Sequence, residues 1–79
     1  MSDLRKLLLE SKGKLKQSSP SFAELLIHEL GGTSKVAKIV DTAAASVDDW
    51  KHRGIPGWRL EYFKVAFPDL RAWDFLENE

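Results

Sequence analysis

Few side chains in this sequence are equipped for chemistry. His28 and His52 are its only imidazoles. His52 follows Asp48 by four residues, a spacing that puts both on one helix face as two metal ligands would be. Two ligands do not make a site, no cysteine is present to complete one, and an exposed surface pair is the expected reading. Ser18, Ser19 and Ser21 have no nearby base to activate a nucleophile. Gly31–Gly32 reads as a helix stop, and Gly54 and Gly57 flank a loop, so no glycine-rich phosphate cradle is present. The sequence predicts no catalytic residue, no metal, no cofactor and no enzyme.

Binding surfaces remain. The aromatics Trp50, Trp58, Tyr62, Phe63, Phe67, Trp73 and Phe75 have the types needed to stack on single-stranded bases. Their helical spacing assigns most of them to a core instead. Trp58, Tyr62, Trp73 and Phe75 are the candidates for a subunit interface. Leu4, Leu7 and Leu8, at i, i+3, i+4, form one apolar stripe and a second such candidate.

These groups must be positioned by a small chain. Seventy-nine residues, 43% hydrophobic and 30% charged, make one ordinary globular domain with a modest core. No apolar run approaches the roughly 18 residues of a membrane span. "DLRKLLLE" is too short and too charged for a signal-peptide core, so a soluble, cytoplasmic protein is expected. The net charge is zero, but unevenly spread. Residues 1–16 carry five basic and two acidic side chains, whereas residues 17–79 carry seven and ten. A domain that binds nucleic acid is usually positive, and this body is mildly acidic.

Periodicity predicts an all-α fold of five helices, preceded in residues 1–20 by a basic N-terminal helix (3–10) and a polar linker, "GKLKQSSPS". Ser21 and Glu24 have the spacing of a reciprocal capping box, starting a first helix with Phe22, Leu25, Leu26 and Leu30 inward. Gly31–Gly32 stops it. Thr33 or Ser34 is expected to cap the second helix, with Val36, Ala37 and Val40 on its inner face. Asp41–Thr42 makes the turn, with Asp41 taking the left-handed conformation that glycine adopts more cheaply. A third helix runs over 43–53, a fourth over 58–67 with Leu60, Phe63 and Phe67 inward, and a fifth over 69–76. Pro68 lies in the first turn of the fifth, and Leu70, Trp73 and Leu76 line its inner face.

Two short helices around a tight turn, with Ala37 small at their crossing and Val36, Val40, Val47 and Trp50 along their seam, meet the needs of a helix-turn-helix. The stretch "GGTSKVAKIVDTAAASVDDWKHRGIPGWRLEYF" resembles the helix-turn-helix of the phage Cro and repressor family (lambda repressor-like, including YdaS-type regulators). The landmarks are Gly32–Thr33, Ala37–Lys38, Val47-x-x-Trp50 and Ile55–Pro56. The resemblance covers about residues 21–68 and assigns 21–79 to the domain.

What it implies is sequence-specific binding to the major groove of double-stranded DNA. A transcription regulator of phage or mobile-element type, acting as a homodimer in a bacterial cytoplasm, is the expected protein. On a helical wheel Val47 and Trp50 point inward, so the base-reading face holds Ala44, Ala45, Asp48, Asp49 and His52. This face lacks the Arg, Lys, Asn and Gln that most often read bases. Asp accepts from cytosine N4, Ala touches a thymine methyl and His52 donates. Phosphate contacts fall to Lys35, Lys38, Lys51 and Arg53, to the helix start at Thr33 and Ser34, and to an arm of Lys12, Lys14 and Lys16. Two carboxylates beside a phosphate wall are repelled by it. The competing expectation is therefore a protein-binding module on the same fold, an antirepressor or host-factor inhibitor.

Overall fold

Residues 13–77 are described by a computed structural model of the chain; the expected helix over 3–10, with Leu4, Leu7, Leu8 and Lys12, lies outside the described residues. The described residues fold into four α-helices: α1 (Pro20–Glu29), α2 (Thr33–Ile39), α3 (Ala44–Arg53) and α4 (Gly57–Ala66). One 3-10 turn (Arg71–Phe75) follows. The core gathers around α1, whose Phe22, Ala23, Leu25, Leu26 and Ile27 are all buried. α3 and the 3-10 turn pack on α1, and α2 packs on α3. Val36, Val47, Leu60, Phe63 and Ala72 close the core from the other elements. The inward faces read from periodicity are buried in α1, α2 and α3 and at Leu60 and Phe63 of α4, as apolar burial requires, while Phe67, Leu70, Trp73 and Leu76 are partly buried against this core.

The first helix starts two residues earlier than the capping-box spacing suggests. Ser19 is its N-cap: the Ser19 Oγ accepts from the Phe22 N–H at 3.2 Å and donates to the Lys16 carbonyl at 2.7 Å. Pro20 takes the first helical position, where its missing N–H costs nothing. That preference overrides Ser21 and leaves Glu24 exposed. Gly31 and Gly32 end α1 in a Schellman motif, with Gly31 N–H on the His28 carbonyl at 3.1 Å and Gly32 N–H on the Ile27 carbonyl at 2.9 Å. Because Gly32 also serves as the N-cap of α2, neither Thr33 nor Ser34 caps it.

The expected fifth helix over 69–76 is one 3-10 turn instead. Its two ends are held by other partners. At the start, the Glu29 carboxylate accepts from the Arg71 N–H at 2.5 Å and the Ala72 N–H at 2.8 Å, so the turn begins only at Arg71. At the finish, Leu76 is extended and pairs with Leu15 in an isolated parallel bridge. Leu15 N–H donates to the Phe75 carbonyl at 2.8 Å, and Glu77 N–H donates to the Leu15 carbonyl at 2.7 Å. Leu15 is itself buried. The stretch expected to be a polar linker is thus part of the fold, because one apolar side chain among its lysines reaches the core.

Candidate functional site

The connection between α2 and α3 is a second Schellman motif. Asp41 N–H reaches the Lys38 carbonyl at 3.4 Å and Thr42 N–H the Ala37 carbonyl at 2.9 Å. Asp41 sits where the first motif has Gly31, and it is the one non-glycine residue with positive φ (51°) among the described residues. The left-handed conformation expected of Asp41 is thus present. A side chain there costs about 1–2 kcal/mol, and an acidic residue just past a helix C-terminus is unfavourably placed at the negative end of the dipole. Asp41→Gly is expected to raise the unfolding free energy by about 1 kcal/mol once the larger unfolded-state entropy of glycine is subtracted. A urea titration that found the variant less stable than the parent would refute this account of the turn.

Arg59, on α4, braces the same turn. Its Nη1 donates to the Val40 carbonyl at 3.4 Å, and its guanidinium lies 4.2 Å from the Trp58 ring centre. Cations favour helix C-termini, which explains the first contact, and the second is a cation–π stack. Nothing in the local sequence marks this contact, which links residues nineteen apart.

On α3, Val47 and Trp50 are buried while Ala44, Ala45, Asp48, Asp49 and His52 are exposed. The helical wheel and the structure agree on this face. No side chain caps α3, and no acidic residue stands in its first turn. Its N-terminus is a bare helix end flanked by small side chains.

The charges of the face are arranged differently from the expectation. Asp48 pairs with Lys51 at 3.7 Å and Asp49 with Arg53 at 3.3 Å. The two aspartates and the two cations expected to meet phosphate are therefore partners on one helix. The i,i+3 and i,i+4 spacings are a readable signal of such pairs. Asp48, Asp49 and Arg53 are solvent-exposed and Lys51 is half-buried, so each pair contributes about 0–1 kcal/mol and gives way readily to a better partner.

The remaining site candidates divide into two groups. Ser34, Lys35 and Lys38 are exposed on α2, and Thr33 is half-buried at its start. Lys14 and Lys16 are exposed on the N-terminal stretch. Lys16 lines a groove of about 600 Å³ with Gln17, Ser18, Lys64, Leu76 and Glu77, beside α4 and the C-terminal segment. The fold thus gathers Lys51, His52 and Arg53 with the α3 face and gives Lys16 other neighbours. Trp73 and Phe75 are half-buried against the core, with the Trp73 Nε1 donating to the Phe67 carbonyl at 2.7 Å. Both keep part of their surface exposed, whereas Trp58 and Tyr62 are exposed outright. Among the described residues, no three His, Asp or Glu side chains converge as a metal site. Compared with known protein families, curated proteins and solved structures, the chain matches none.

Proposed function

We propose that α2 and α3 form a helix-turn-helix and that the exposed face of α3 enters the major groove of duplex DNA. The protein then acts, as paired copies, as a transcription regulator of phage or mobile-element type. One observation carries the reading: a four-residue connection closed by a left-handed Asp41 leaves Ala44, Ala45, Asp48, Asp49 and His52 on one uncovered helix face. The resemblance to Cro and repressor proteins supports it. In this reading the aspartates mask charge, holding Lys51 and Arg53 until phosphates displace them. The pairs are weak enough for that exchange.

The test is binding to random and selected duplexes across a salt series, with the parent chain, Asp48→Ala and Asp49→Ala. Observed affinity should fall linearly in log–log form as salt rises. Each substitution should raise affinity on every sequence without a new preference, because it removes a carboxylate that competes with phosphate for Lys51 or Arg53. A folded protein that fails to bind any duplex at low salt sinks this reading. The second reading, a protein-binding module such as an antirepressor or host-factor inhibitor, is favoured by the same two ion pairs, since a charge-balanced face suits a protein partner better than a phosphate wall.

A further inference from the structure

α4 is apolar on two opposite faces. Leu60 and Phe63 are buried, and on the far side Trp58, Tyr62 and Val65 follow one another at i, i+4, i+7. Trp58 is 66% exposed, Tyr62 46% and Val65 81%, and they are the only large hydrophobic side chains so exposed among the described residues. On a wheel of about 100° per residue, Trp58 and Val65 lie almost opposite the buried direction. An ordinary surface helix carries polar residues there. Exposed apolar side chains gathered on one face, unlike single scattered ones, mark interaction sites.

We infer that this face binds the same face of a second copy, with the two α4 helices antiparallel about a two-fold axis near Tyr62. Charge complementarity selects this occupant and this direction. Glu61 and Lys64 lie on one side of the stripe, three residues apart and 3.9 Å from each other, and the Lys64 ammonium also donates to Gln17 Oε1 at 3.3 Å, exposed contacts that exchange readily for a better partner. A two-fold axis across antiparallel helices sets each flank against its own copy in reverse order. Glu61 of one copy then meets Lys64 of the other, twice, while Trp58 packs on the other copy's Val65 and Tyr62 on its Tyr62. Such an isologous contact is self-complementary. Antiparallel helices also bring opposite dipole ends together. The inference supplies the surface for the paired copies of the proposed function, and it stands apart from the DNA itself.

The test is sedimentation equilibrium of the full chain, without DNA, across a micromolar-to-millimolar series. Three partly exposed side chains per copy cover less than the roughly 800 Å² per partner of standard interfaces, so a reversible dimer in the micromolar range is expected. Val65→Glu should weaken association at least tenfold with unchanged far-ultraviolet circular dichroism, because Val65 contributes little to its own fold. Glu61→Lys or Lys64→Glu alone should weaken it two- to fivefold, and the two together should restore it. A parent chain that stays monomeric throughout overturns the inference, as does a Val65→Glu protein that dimerises like the parent. A double reversal that fails to restore association overturns the antiparallel arrangement. A monomer whose Trp58 is shielded from an aqueous quencher, judged against Trp58→Phe, gives the face to another occupant and overturns it too. DNA binding that fails while the dimer persists leaves the inference standing and removes only the reading of α3.

Discussion

Gly54→Ala is expected to lower the unfolding free energy by about 4 kcal/mol, at the exceptional end for one substitution. Two costs combine. Gly54 has φ 95° and ψ 159°, a region that side chains almost never occupy, at about 1–3 kcal/mol. A Cβ built there also falls 2.2 Å from the Ser18 carbonyl oxygen and 2.9 Å from its carbon. Those are backbone atoms, so no side chain can swing aside. Gly32 separates the two costs. It has nearly the same backbone (φ 106°, ψ 172°), but nothing lies within 4 Å of an added Cβ. Gly32→Ala should lose only the conformational part, about 1–3 kcal/mol. Urea denaturation of the two variants measures the difference. Equal losses would mean that the approach of Ser18 to Gly54 contributes nothing.

Phe22→Ala is expected to cost about 3–5 kcal/mol. A chain of this length holds about 4–12 kcal/mol in total, so the substitution removes from about a quarter of the stability to all of it. Phe22 is fully buried on α1, and its ring centre lies 5.7 Å from that of Trp73. It therefore bridges α1 to the C-terminal turn. Phe22→Leu keeps most of the volume and should cost well under half as much. Trp73 fluorescence gives a second readout: its emission should shift to the red when the facing ring is removed. A Phe22→Ala protein within about 1 kcal/mol of the parent would contradict the packing described.

Local rules made much of this legible in the sequence. The spacing of Phe22, Leu25 and Leu26 foretold the buried face of α1, and Val47 with Trp50 that of α3. Asp41 was readable as a strained turn residue because glycine is the default there and is missing. Other features depended on competition between local signals. Ser21 and Glu24 have capping-box spacing, yet Pro20 prefers the first helical position and hands the cap to Ser19. Still others are set at long range. Glu29 is an ordinary helix residue in sequence, and only the fold brings it to the Arg71 and Ala72 amides. Those bonds, with the pull of Leu15 on Leu76, turn an apparent helix into one short turn. At the candidate site the exposed face was readable, while the contact of Arg59 with Val40 was not.

The pairing of Leu15 with Leu76 has a consequence for how the protein is made. Translation delivers Leu15 before any of the four helices and Leu76 after all of them. Until the C-terminal segment emerges, Phe22 lacks Trp73, Glu29 has no amides to hold, and Leu15 has no partner strand. A nascent chain can form helical turns before residues 71–76 are made, but it cannot close this core without them. Domains fold as units during synthesis, and this one closes only once both partners of the bridge are present. A stretch of basic residues that looks like a tether in the sequence is thus the piece that must wait longest for its place.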